Sequence, residues 1–469
     1  MALRATRLPP GPRGLPFVGV GLELRRDPLK FFTGLRTGYG DVIHVRLPFG
    51  QSRVLVNHPE LIEQILVVDH QKYEKSPTLL KVTARILGKG LLTSEGEFWR
   101  RQRRISQPLF QRTHIAKYAE TMVARTQEQI ATWHDGDSLD ISDEMMRLTM
   151  GIAVKTLFGS EAPAEARRVG QELATVMRYE LRRMRSAFKI PASWPTPLNR
   201  RVKEAYAYLD SVVYGMINER RATGTRGDDL LSRLIIATDE DGSTMTPKQL
   251  RDEVMTHFLA GHETTALAMT WTWFLLAENP RTEIILHEEL AQVLQGRPPR
   301  VEDLTKLPYL EAVLRESMRL YPPAWIMSRS SIERVKVGAF EFSPGTTVLM
   351  SPWVMHRDPR FFEDPQVFRP ERWLEGRADK LPAYAYFPFG GGPRRCIGQE
   401  FALMEAGLLL AVIAPRFRFR LAKDHQVIPE PLVTLRPKNG VRVTVHPETA
   451  RNRANHFTNS GSLPASQGL

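Results

Sequence analysis

Phe389-Gly390-Gly391-Gly392-Pro393-Arg394-Arg395-Cys396-Ile397-Gly398 is the stretch on which the reading of this chain turns, and it holds the only cysteine among 469 residues. A solitary cysteine forms no internal disulfide. A zinc or iron–sulfur site needs several cysteines, or Cys/His clusters at fixed spacing, and none surrounds this one. Two uses remain: an inert buried thiol, or one thiolate on a metal with an open position. Three glycines and a proline make a tight loop whose backbone N–H groups can point at a sulfur anion, and Arg394 and Arg395 favour the charged form. An inert thiol needs none of this, although an apolar-flanked cysteine taken alone is more often structural. A phosphate cradle is a poor reading, because no Lys-Ser/Thr follows the glycines.

The stretch resembles the haem-binding loop of the cytochrome P-450 superfamily, F-x-x-G-x-R-x-C-x-G, filled here by Phe389, Gly392, Arg394, Cys396 and Gly398. Gly398-x-x-x-Ala402-x-x-Glu405 carries the resemblance into the following segment. It implies haem b (iron protoporphyrin IX) with Cys396 as axial thiolate and sole metal ligand. The implied fold is mainly α with small β-sheets (α+β), the haem lying between a long central helix and the helix after the cysteine loop.

Composition narrows the class. The chain is 42% hydrophobic, enough for a large core. The only apolar run near the start, Leu15 to Leu22, is far below the ~20 residues of a membrane helix, so no anchor or signal peptide is expected. This suggests a soluble cytoplasmic member of the bacterial kind. The net charge of +13 first suggests nucleic acid or an anionic membrane, yet the arginines are dispersed and no nucleic-acid motif appears. An acidic protein partner is the preferred reading. Residues 1–8 read as a flexible start, 9–446 as a single domain and 447–469 as a disordered tail.

Along the chain, Pro28 to Leu35 reads as helix, and Val42 to Leu47 and Arg53 to Asn57 as a hairpin around Pro48-Phe49-Gly50-Gln51. Ser76 to Gly90 reads as loop-like. A basic helix then opens at Glu95, with Trp99 and Arg103 filling the family's W-x-x-x-R pattern, which implies contact with a haem propionate. Arg100, Arg101 and Arg104 cannot all face one propionate and read as a surface that docks an acidic ferredoxin or flavodoxin. From Thr113 to Glu219 the pattern is helix after helix, broken by Pro191, Pro195 and Pro197 where the family has a mobile lid. Arg178, Arg182, Arg183 and Arg185 form a basic stripe just before the break, more often a solvated face than a site. Thr223 to Asp229 reads as a polar loop.

The next helix starts on a capping box, Thr246 with Gln249, and Pro247 at the first position, and can run to Asn279-Pro280, roughly 48 Å at 1.5 Å per residue. Its middle, Ala260-Gly261-His262-Glu263-Thr264-Thr265, costs helix propensity and matches the family signature A/G-G-x-D/E-T. The resemblance assigns Ala260 to the space over the iron, and Glu263 and Thr264 to proton delivery. A mid-helix threonine usually bonds back to its own helix, and His262 lacks the second histidine of a zinc helix, since position 266 is alanine. Glu316 and Arg319 match the family's buried E-x-x-R pair, joined by Arg372 of Pro370-Glu371-Arg372-Trp373, where phenylalanine is commoner at the last position. Arg329 matches a second propionate arginine. Ala324, Trp325, Ile326 and Met327 would shape an apolar substrate pocket, though strand packing alone also explains them. His356-Arg357-Asp358-Pro359 reads as structural.

Together these motifs imply a monooxygenase that inserts one oxygen atom from O2 into a C–H or C=C bond of an apolar small molecule such as a fatty acid, terpenoid, carotenoid or polyketide. Electrons would come from a separate ferredoxin or flavodoxin and an NAD(P)H-dependent reductase, because no flavin or iron–sulfur segment is present. Two alternatives stand beside it: a peroxide-driven or isomerase-type haem-thiolate enzyme, and a haem-binding sensor or carrier.

Overall fold

The computed structural model describes residues 8–48, 51–159, 163–185, 191–224, 229–238, 242, 244–376 and 380–448. Most of the expected flexible start and tail therefore lies outside the described residues, as do Phe49 and Gly50 of the hairpin turn, residues 186–190 and residues 225–228.

The molecule is built around the helix Pro247–Glu278, which spans 32 residues as its N-terminal signals predict. The Thr246 hydroxyl accepts from the Gln249 N–H at 3.2 Å, and the Gln249 side chain accepts from the Thr246 N–H at 2.8 Å, satisfying two orphan donors reciprocally. Asn279 and Pro280 end it. Most of its residues are buried, because it crosses the core against the helices Ile141–Phe158, Pro308–Leu320 and Gln399–Ile413.

The small sheets lie to the sides of this helical body. In chain order the strands are β1 (Val42–Arg46), β2 (Ser52–Val56), β3 (Tyr73–Lys75), β4 (Ser138–Asp140), β5 (Met327–Ser331) and β6 (Val335–Val337). They continue with β7 (Phe340–Phe342), β8 (Thr347–Met350), β9 (Phe417–Leu421), β10 (Pro429–Pro431), β11 (Leu435–Pro437) and β12 (Arg442–Pro447). The main sheet has the order β1-β2-β8-β5-β3, with β2 and β8 parallel. A second sheet runs β4-β12-β9, and β6-β7 and β10-β11 are hairpins. Among the described residues no helix is long and apolar enough to cross a membrane.

Two local expectations fail. Pro77–Leu87 is a helix rather than a loop: Pro77 occupies the first helical position after Ser76, and Thr83, Ile86 and Leu87 are buried next to the long helix. The interspersed Thr, Lys and Arg residues hide this period in the sequence. The helical run after Thr113 is also interrupted, by β4, whose partner β12 lies three hundred residues on in the chain.

A buried polar knot holds the C-terminal half together. Glu316 and Arg319 are fully buried and pair at 2.8 Å. The Glu316 carboxylate also accepts from Arg372 Nε at 2.9 Å, the Arg369 N–H at 2.9 Å and Trp373 Nε1 at 2.8 Å. Trp373 thus supplies a donor that the commoner phenylalanine lacks. Arg319 donates in turn to the carbonyls of His356, Pro365 and Val367.

Candidate active site

Cys396 stands at the end of the glycine loop, immediately before the helix Gln399–Ile413. Its N–H donates to the Phe389 carbonyl at 3.0 Å, closing the loop on itself. Gly392 has φ of +64°, and a Cβ there would lie 1.8 Å from the Leu66 carbonyl oxygen, so the close approach of the Gln64–Val68 turn requires glycine. Cys396 has accessible surface, yet burial pushes its thiol pKa up. The Gly398 N–H and the charges of Arg103 and Arg395 offset the burial only in part. Of the two loop arginines, Arg395 favours the thiolate, while Arg394 is engaged by Glu95.

Arg394 stacks on Trp99, its guanidinium carbon 4.0 Å from the ring centroid, and its other contacts are the Ser94 carbonyl at 3.3 Å and the Glu95 carboxylate. Two more cations join it. Lys75 is buried, donates to the Ser94 carbonyl at 2.7 Å and the Leu91 carbonyl at 3.1 Å, and lies 3.9 Å from Glu95. On the sheet Lys75 is the direct cross-strand partner of Arg329. Like charges directly opposite are destabilising, more so when desolvated. Burial, then repulsion from Arg394, lowers Lys75 to about 7 and Arg329 to about 10. Three cations thus cluster around Glu95, with weaker attraction from Glu253 on Lys75 and from Glu74 on Arg394, an environment that accepts further negative charge. The two propionates of haem fit it, and Arg103, Arg329, Arg394, Lys75 and Trp99 are the residues on hand to hold them. Arg103 itself donates to the Arg395 carbonyl at 2.8 Å, which places it beside the cysteine loop. Lys75 escapes the sequence reading because its role depends on strand register, and Glu95 because its partners Lys75 and Arg394 are distant in the chain.

On the long helix, Ala260, Gly261 and Thr264 keep accessible surface while their neighbours are buried, and their spacing puts them on one face. The Thr264 hydroxyl donates to the Ala260 carbonyl at 2.8 Å, the back-bonding that a mid-helix threonine ordinarily makes, and the helix is continuous through this turn. His262 is buried with Nδ1 2.7 Å from the Phe258 carbonyl oxygen, and burial lowers its pKa, consistent with a non-catalytic role. Glu263 lies beside this face, and its carboxylate is held by Arg436 at 2.6 Å and by the Thr434 hydroxyl. Neither partner is signalled in the sequence. Glu405, on the helix after Cys396, is pushed up to about 8 by burial, with the Thr265 hydroxyl offsetting part of that.

Of the four residues assigned to the pocket, Ala324, Ile326 and Met327 keep partial exposure, whereas Trp325 is buried against Phe32 and donates to the Leu432 carbonyl at 2.9 Å. Packing against the helix Pro28–Tyr39 accounts for Trp325. Arg100 and Arg104 are exposed on the basic helix, Arg100 beside Glu97. In the basic stripe Arg178 and Arg182 are exposed, Arg183 lies over the Tyr179 ring at 5.5 Å, and the Arg185 side chain lies outside the described residues.

Comparisons with known proteins point to one family. The family model "Cytochrome P450" matches residues 9–445. Cyclooctatin synthase of Streptomyces melanosporofaciens is 40% identical over 92% of this chain and 95% of its own length. Pentalenene oxygenase of Streptomyces avermitilis is 35% identical over 90% of this chain and 94% of its own. Among solved structures, the retinoic acid-bound cyanobacterial CYP120A1 superposes with a TM-score of 0.84 at 26% identity, covering 95% of this chain and all of that one. A cytochrome P450DA heme domain shares the fold, with a TM-score of 0.87 over 96% of this chain and all of that one at 24% identity. The chain belongs to the cytochrome P450 family and is a monooxygenase of that family.

Proposed function

We propose that residues 9–446 form one haem-thiolate domain in which Cys396 ligates haem b, and that its substrate is an apolar cyclic terpenoid. The observation that carries the site is the cluster of Lys75, Arg329 and Arg394 around Glu95, Lys75 buried and both arginines half-buried, next to a lone cysteine. The terpenoid class is supported by relatives named for cyclooctatin, cyclooctat-9-en-7-ol and pentalenene. Bound through Cys396, haem supplies the O2 chemistry, and the chain supplies position, dryness and protons. Thr264 holds its proton at Oγ1 on the accessible face, and Glu263 sits one residue away to exchange it with solvent. Ala260 and Gly261 leave room above that face. Ala324, Ile326 and Met327 offer apolar surface to the substrate.

The test is the absorption spectrum of the reduced, carbon monoxide-bound protein, followed by spin-state titration with cyclooctat-9-en-7-ol, pentalenene, a fatty acid and a carotenoid. A strongly red-shifted Soret band and terpenoid-selective spin shifts are expected. A band typical of histidine ligation would remove the assignment of Cys396, and fatty-acid selectivity would remove the terpenoid.

Thr264→Ala is expected to keep haem and the thiolate spectrum while product formed per NAD(P)H falls about 100-fold, the low end of the range for a lost general acid–base group. Peroxide release should rise to match. Unchanged coupling would show that the hydroxyl only caps its own helix.

Electrons are proposed to arrive from an acidic ferredoxin or flavodoxin at the face carrying Arg100 and Arg104. Reversing both charges to glutamate should slow reduction by such a partner about tenfold at low salt and flatten its dependence on ionic strength. Reduction that is indifferent to salt in the unmodified protein would argue against this face.

A further inference from the structure

The hairpin β10-β11 makes contacts that the fold alone does not require. Its Leu435 carbonyl accepts from Trp271 Nε1 on the long helix at 3.0 Å, while the Leu435 N–H donates to the Pro323 carbonyl at 2.9 Å and the Leu432 carbonyl accepts from Trp325. The hairpin is thus pinned on one side to the long helix and on the other to the segment bordering Ala324, Ile326 and Met327. Leu435, fully buried, fixes its depth.

From this pinned base two side chains reach back to one carboxylate. Arg436 lies cross-strand from Glu430, yet directs Nη2 and Nε to Glu263 Oε1 at 2.6 and 3.1 Å. The Thr434 hydroxyl donates to the same oxygen. Glu263 is buried, its side chain 5% exposed, whereas Arg436 keeps 25% of its side chain exposed. Arg436 is therefore the one of the pair that meets solvent, and the carboxylate meets it through Arg436.

We infer that Arg436 and Thr434 are positioning residues for the reaction: they fix the orientation of the Glu263 carboxylate beside Thr264, and through it the delivery of protons. The inference rests on the reading of Glu263 as the proton-relay acid. An arginine that served only to staple the hairpin could do so with any buried acceptor, whereas here both donors converge on the single oxygen of the one acid in the Ala260–Thr264 turn. Two side chains on that oxygen hold one edge of the carboxylate.

The experiment compares Arg436→Gln, Arg436→Lys, Thr434→Val and Glu263→Gln as haem-loaded proteins. Two readouts are taken. The first is the carboxylate stretch of Glu263 in the infrared spectrum of the resting protein, assigned by its disappearance in Glu263→Gln. The second is the solvent deuterium isotope effect on oxygen consumption driven by NAD(P)H, a surrogate [2Fe-2S] ferredoxin and its reductase, measurable whether or not an added compound is hydroxylated. Arg436→Gln is expected to shift the stretch and to raise the isotope effect about twofold, with a larger peroxide fraction. Arg436→Lys should restore both, and Thr434→Val should move both in the same direction by less. A merely structural role would lower the melting temperature of Arg436→Gln and leave the isotope effect unchanged, which overturns the inference. If Glu263→Gln itself leaves the isotope effect unchanged, the reading of Glu263 as relay fails, a signature distinct from failure at Arg436 alone.

Discussion

Cys396→Ser is expected to abolish the red-shifted Soret band of the reduced carbon monoxide complex and to cut monooxygenase turnover at least about 10³-fold, some 4 kcal/mol of barrier. The reason is electronic. A thiolate pushes electron density onto haem iron in a way that a serine oxygen does not. The loop should survive the change, because it is closed by the bond from the position-396 N–H to the Phe389 carbonyl and by the Gly392 approach to Leu66, neither of which uses the sulfur. Circular dichroism and the melting temperature therefore separate loss of ligand from loss of fold. A sign follows for pH. Burial raises the thiol pKa, so the thiol binds a proton that ligation must expel. Uptake of haem by the apoprotein should accordingly strengthen as pH rises. A band that persists in Cys396→Ser, or uptake that weakens with rising pH, would remove this account.

Glu316→Ala is expected to cost ~3 to 5 kcal/mol and to prevent accumulation of loaded protein, a loss comparable with much of a domain's total stability. Five side-chain or backbone donors from four residues meet that carboxylate, and its removal leaves the fully buried Arg319 without its counter-ion. The damage reaches the cysteine loop by a short route. Arg319 holds the His356 carbonyl, His356 Nε2 accepts from the Phe387 N–H at 3.0 Å, and the Phe387 carbonyl accepts from the Gly390 N–H at 3.0 Å. Trp373→Phe removes one hydrogen bond to a charge and should cost about 1.5–3 kcal/mol, leaving a folded, loadable protein whose lower melting temperature measures the knot. Equal melting temperatures for wild type and Glu316→Ala would show that the knot contributes nothing.

What the sequence reveals is what is local. The long helix is readable at both ends because its start and stop are written within a few residues of each other: Thr246, Pro247 and Gln249, then Asn279 and Pro280. The β1-β2 hairpin is readable for the same reason. Cys396, Glu316 and Arg319 come through a resemblance of spacing. The Glu263–Arg436 pair does not, because its members lie 173 residues apart in the chain. Nor does the opposition of Lys75 and Arg329, which exists only once β3 and β5 are in register. The role of Arg394 was half legible: the loop motif gave its position, while its stacking on Trp99 and pairing with Glu95 depend on a distant helix.

The main sheet has a consequence for the birth of the protein. Strands β1, β2 and β3 emerge early, but β8 and β5, which separate β2 from β3 in the sheet, lie more than 250 residues downstream. At a synthesis rate of ~5–20 residues per second, the early hairpin waits on the order of ten seconds or longer on the ribosome with the open side of β2 unpaired. Val54, Leu55 and Val56, which end up fully buried, are exposed throughout that wait. Slowing translation downstream of β3 should therefore lower the yield of holoprotein without any change in its amino-acid sequence.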